Sequence, residues 1–240
     1  MSTKGGRMRL RMTSHPVARP GSGLRRILDT GPLLGHTFVH PPTDQVGHLK
    51  AGRADLLRLG ALFRIAATGP HSALHIPVPP GARPRNTGVA VSHPLPLLVA
   101  REDTGLRPSD WPAVRRAMRR SSAPLTVTAP AARGPERPPE VRRRAELHPA
   151  RFAEHASTIV ITGRAEMLFW IGDWLTDAGA GVAGGSRTRG HGERFLGDVV
   201  GFFTRRDADA PMHAFCVVEV VEVVEAGGVG RGRREGSGSS

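Results

Sequence analysis

The sequence predicts a largely irregular or disordered chain with one small α+β unit in its C-terminal half. Three observations lead there. Gly 30 and Pro 21 among 240 residues nearly double the roughly 12% of helix- and strand-interrupting residues in ordinary domains. Aromatic residues make up 5% of the chain and none is Tyr, so large side chains to fill a core are scarce. Only residues 150–225 combine apolar runs of both helical and strand character.

Taken in order, residues 1–26 read as a disordered basic leader, with Arg7, Arg9, Arg11 and Arg19 and no apolar run behind them. That pattern excludes a secretory signal. The lack of acids through residue 28 loosely resembles an organelle transit peptide, but Pro16 and Pro20 break any long amphipathic helix.

Residues 27–120 read as a weakly structured Pro/Gly-rich segment with short helices. Ile27–Leu34 is a short apolar run suited to a strand. Ala54–Ala67 is a helix whose Leu56, Leu59, Phe63 and Ala66 share a face, with Arg53, Arg58 and Arg64 off it and Gly69-Pro70 as its stop. Residues 70–85 are Pro-rich and extended. Gly88–Ala100 is strand-like but interrupted by Pro94 and Pro96. Ser109 or Asp110 caps a helix running to Arg120, with Trp111, Val114 and Met118 on one side and Arg115, Arg116, Arg119 and Arg120 on the other.

Residues 121–149 read as a Pro/Arg-rich linker with little to bury. In the 150–225 unit, Thr158–Thr162 is a β-branched strand, Ala165–Leu175 a helix, Gly179–Gly192 a loop and Phe195–Phe203 an apolar segment. Cys216–Glu225 repeats every three residues, which fits neither the strand period of two nor the helical 3.6; its β-branched content favours a strand. Residues 226–240 read as a disordered Gly/Ser/Arg tail.

The basic balance is strong and almost entirely arginine: Lys+Arg is 34, with Lys4 and Lys50 the only lysines, and the net charge is +13. Such a chain attracts polyanions, so non-specific nucleic acid is the partner that charge suggests. The contact candidates are Arg115, Arg116, Arg119 and Arg120, with Arg142, Arg143 and Arg144 and a third cluster at 231–234.

Asn86 and Gln45 are single, Tyr is absent and His numbers 11. GC-rich coding accounts for the first scarcities. A frame lying antisense to a GC-rich gene would add the histidines, because His CAC complements Val GTG. On that reading the chain is an unselected product with no assignable activity, and a long conventional frame lies on the opposite strand.

Short motifs carry the remaining possibilities. Ile27-Leu28-Asp29-Thr30-Gly31-Pro32-Leu33-Leu34 resembles the opening strand of PIN-domain nucleases. Over eight residues the resemblance implies a metal-dependent nuclease using Asp29, which needs further acids converging on Mg²⁺ or Mn²⁺. Asp29-Thr30-Gly31 with Asp103-Thr104-Gly105 resembles the paired triplets of pepsin-like aspartic proteases, though too close together in sequence for two lobes.

His36/His40 and His71/His75 have metal-ligand spacing on a helix, yet prolines border both pairs. Gly179–Gly184 matches G-x-G-x-x-G without the preceding strand, and Thr158–Gly163 resembles the first strand of short-chain dehydrogenases without the later glycines. Cys216, the single cysteine, reads as a small apolar residue. No residue is assigned to catalysis, cofactor or metal, and no cofactor is expected. Met167–Leu175 is too short to span a bilayer, and a cytoplasmic location is expected.

Overall fold

The computed structural model describes residues 7–17, 21–35, 37–43, 46–83, 85–86, 91–133, 148, 150–181, 187–188, 193–198, 203–205 and 214–220. In chain order the elements are β1 (Arg9–Pro16), β2 (Arg26–Asp29), β3 (Phe38–Thr43), β4 (Val46–Ala51), α1 (Arg53–Thr68), β5 (Ser72–Ile76), β6 (Arg85–Asn86), β7 (Val91–Ser92) and β8 (Leu97–Arg101). There follow α2 (Trp111–Met118), β9 (Ala123–Thr128), β10 (Ala150–Glu154), β11 (Ile159–Gly163), α3 (Ala165–Ala180), β12 (Arg187–Thr188), β13 (Glu193–Asp198), β14 (Phe203–Arg205) and β15 (Ala214–Val220).

Two mixed sheets enclose a helix pair. The larger runs β14-β10-β11-β8-β5-β2-β1-β9 and the smaller β12-β13-β15-β4-β3, with β6-β7 a separate hairpin. One continuous core joins α1 and α3 to both sheets, through Leu28, Leu74 and Ile161 on one side and Val39, Leu49 and Ala51 on the other. On the far face of the larger sheet, Ile27, Ala73, Leu98 and Val160 bury against Trp111, Val114 and Met118 of α2.

This ordered α/β architecture corrects the expectation of a largely irregular chain with order only in its C-terminal half. The order lies in the N-terminal and middle parts: β1 falls within the expected leader, β9 at the start of the expected linker, and the expected weakly structured segment holds β2, β5 and β8 of the larger sheet and β3 and β4 of the smaller.

The physical reason is where the interrupting residues sit. Pro41 and Pro42 lie on edge strand β3 and Pro124 on edge strand β9, where a missing N–H removes no essential ladder bond. Pro112 is in the first turn of α2, where that N–H would be unbonded anyway. The central strands also lack alternation. Leu97-Leu98-Val99-Ala100 and Ile159–Gly163 are buried on both faces, as strands between two helical layers must be.

The chain repeats one unit. Hairpin β3-β4 leads through Gly52-Arg53-Ala54-Asp55 into α1 and then the antiparallel pair β5-β8. Hairpin β10-β11 leads through Gly163-Arg164-Ala165-Glu166 into α3 and then β13-β15. The closing pairs are exchanged: β8 lies parallel to β11 and β15 parallel to β4.

Each helix has 16 residues, and Gly60 and Gly172 are the eighth residue of each. They meet where the antiparallel helices cross: a Cβ on Gly60 would lie 2.5 Å from the Gly172 carbonyl oxygen, and one on Gly172 2.6 Å from that of Gly60. Arg53 at the start of α1 donates to the carbonyls of Gly179 and Ala180 at the end of α3, at 2.7 and 3.0 Å, satisfying acceptors the helix end leaves open.

Candidate functional site

On the outer face of the larger sheet, α2 covers only part of the floor. Alternation along β1 sends Leu10 and Met12 to the helix-pair core and Arg9, Arg11, Thr13 and His15 to the α2 side. The same rule puts Asp29 of β2 beside Ile27 and His75 of β5 beside Ala73. Pairing aligns Pro124, Thr13, Asp29, His75 and Leu98 in one row across five strands. Arg11, opposite Thr126, and Arg9, opposite Thr128, lie one and two rows further along, with rows about 7 Å apart.

The centre of the row is an Asp–His pair. His75 Nδ1 lies 2.7 Å from Asp29 Oδ2, and the Gly31 N–H donates to Asp29 Oδ1 at 2.7 Å. The Asp-Thr-Gly turn thus serves as a carboxylate clamp: Thr30, at φ −77 and ψ −15, turns the Gly31 amide back toward Asp29, and Gly31 continues the turn at φ +53.

An ionised carboxylate only accepts, so Nδ1 donates to it, and in the neutral imidazole Nε2 is then the acceptor nitrogen. Nε2 has no hydrogen-bond partner among the described residues, and the His75 side chain remains 13% exposed. The Trp111 indole lies against the imidazole at 5.2 Å, tilted 39°, and its Nε1–H is fixed by Thr158 Oγ1 at 2.9 Å.

Burial pushes the Asp29 carboxyl up. The hydrogen bond from His75, the Gly31 N–H and the charges of His75 and His15 outweigh it and hold the group below its ordinary 3.8. A folded value below the unfolded one stabilises the protein fully above pH 3.8, and that contribution disappears as pH falls through the lowered value. Asp29→Asn is therefore expected to melt below wild type at neutral pH, with the gap closing in acid well under pH 3.8; thermal unfolding followed across pH checks this.

Arg115 and Arg116 of α2, with Arg119 and Arg120 directly after it, are exposed, while Trp111, Val114 and Met118 are buried against the sheet. His15 Nδ1 ties β1 to the end of α2 through the Met118 carbonyl at 2.8 Å. Arg142, Arg143, Arg144 and the 231–234 cluster lie outside the described residues. So do His36 and, apart from β12, residues 182–192 of the expected loop. Comparison with protein-family models, curated proteins and solved structures finds no match.

Other motifs separate in space or change meaning. His71 turns to the Gly23 carbonyl at 3.0 Å, so it does not share a helix face with His75, which lies on a strand. Asp103 is paired with Arg101 at the opposite end of β8 from Leu98. No three metal-ligand side chains cluster among the described residues, and no helix among them is long and apolar enough to cross a membrane.

The Asp29–His75 pair escaped the sequence reading because the two residues are joined only by β2–β5 pairing. The available signal was His75 within the strand-like Ala73-Leu74-His75-Ile76, set against an Asp at the end of another apolar run.

Proposed function

We propose that the chain binds nucleic acid through the outer face of its larger sheet. The observation that carries this reading is the set Arg9, Arg11, Arg115, Arg116, Arg119 and Arg120. All six are exposed on that side, and none forms an ion pair among the described residues. Some other arginines are paired with acids, as in Arg58–Asp55, Arg64–Asp173 and Arg164–Glu102. Exposed, unneutralised guanidiniums bind phosphates by releasing counterions, and their planar forks also stack on bases. A cytoplasmic location, where RNA is at hand, accords with this reading.

The test is fluorescence anisotropy with a labelled single-stranded RNA over a salt series. Replacing Arg115, Arg116, Arg119 and Arg120 together by Ala is expected to flatten the slope of log K against log salt by about 3, at roughly 0.7 per lost phosphate contact on a single strand. The melting temperature should be unchanged, because none of the four is buried. An unchanged slope would remove this face as the binding surface.

A further inference from the structure

Resting on that nucleic-acid reading, we propose that this face also cleaves RNA without a metal, with His75 as general base and Asp29 as the residue that positions it. Four features converge on this chemistry. The tautomer is set, since Asp29 Oδ2 accepts from Nδ1 at 2.7 Å and leaves Nε2 as a proton acceptor. The base cannot swing: Trp111 lies against one side of the ring and is itself held by Thr158. The orienting carboxylate is fixed in turn by the Gly31 amide. Finally, Arg11 and Arg9 follow in the next rows of the same face, a spacing of about 7 Å comparable with the separation of successive phosphates along an extended strand.

RNA supplies the nucleophile, because the next position in the row after His75 is Leu98, which carries no hydroxyl or thiol. His75 Nε2 takes the proton of a ribose 2′-hydroxyl as its oxygen forms a bond to the adjacent phosphorus. The bond from phosphorus to the 5′-oxygen breaks, and that oxygen leaves as an alcohol with a proton from water. The hydroxide so formed recombines with the proton held on His75. The products are a 2′,3′-cyclic phosphate and a free 5′-hydroxyl, with no oxidant, metal or cofactor consumed. Arg11 and Arg9, on β1 two strands from His75, hold neighbouring phosphates of the strand rather than the reacting one.

The experiment incubates the full chain with a 5′-labelled single-stranded RNA in EDTA and resolves the products. Cleavage leaving a 2′,3′-cyclic phosphate is expected, while DNA of the same sequence is bound and stays intact. His75→Gln is expected to lower the rate by at least about 100-fold, the usual worth of a general base, with RNA affinity and its salt slope retained. Asp29→Asn is expected to lower kcat with KM unchanged. A substrate with one 2′-deoxy sugar tests the step without altering the protein: cleavage at that position alone should stop.

Wild-type protein that binds RNA but leaves it whole overturns the cleavage and spares the binding reading. Absence of both overturns both. Cleavage abolished by EDTA, or undiminished in His75→Gln, overturns the role of His75.

Discussion

Arg64→Met is expected to cost about 3–5 kcal/mol, the range for removing one partner of a buried ion pair. Arg64 and Asp173 are 6% and 4% exposed, with Nη1 of Arg64 3.6 Å from Asp173 Oδ1. The same guanidinium donates to the Gly172 carbonyl at 3.1 Å, to Thr176 Oγ1 at 2.6 Å and to the Pro130 carbonyl at 2.9 Å. One side chain therefore links α1, α3 and the segment leaving β9. Burial pushes the Arg64 guanidinium down, while Asp173 and Asp177 oppose that shift.

Methionine keeps the packed stem and leaves the Asp173 charge without its buried cation. Urea denaturation gives the number, and a loss under about 1 kcal/mol would contradict the assignment. Arg64→Met with Asp173→Leu should recover much of the loss, because apolar replacement of both partners avoids an uncompensated charge.

Gly60→Ala comes next, at about 3 kcal/mol, the upper end of overpacking. On an exposed helix the same change would gain about 1 kcal/mol, since Gly is the poorer helix former. The sign reverses because the new methyl would press on Thr176 Oγ1 and lie 2.5 Å from the Gly172 carbonyl oxygen. The hydroxyl can rotate away, but the backbone oxygen moves only if α3 moves. Gly35→Ala, in an exposed bend with nothing within 4 Å, is the uncrowded control, and chemical denaturation of both variants shows whether the close contact sets the cost.

The helices were the legible part of this fold. The 3.6-residue spacing marked Ala54–Ala67, and Trp111, Val114 and Met118 marked the buried side of α2; both segments are helical, and α2 buries that one side while α1 is buried all round from Leu59 to Ala67. Arg64 was not legible as a core residue: an arginine off the apolar face reads as solvated until a second helix supplies Asp173 and open carbonyls.

The sheets were hidden because their information is long-range. Nothing local in Leu97–Arg101 announces that its neighbours are β5 and β11. Proline counts misled in the same way, for the harm a proline does depends on whether its position faces a ladder partner. At the candidate site, Asp29 was visible and its partner was not, since β2 and β5 are separated by the whole of β3, β4 and α1.

The exchanged hairpins bear on how such a chain comes to be folded at all. Val46 waits for Ala214 as its β4–β15 partner, and Leu97 for Ile159, so neither half can close its own sheet. During synthesis the first half emerges with strand edges open, the exposure that invites aggregation and slows folding when contacts are distant in sequence. Among the described residues the last strand in chain order, β15, lies at the middle of the smaller sheet. A chain interrupted even a few residues before it has made both helices, yet has left β4 and β13 with nothing between them.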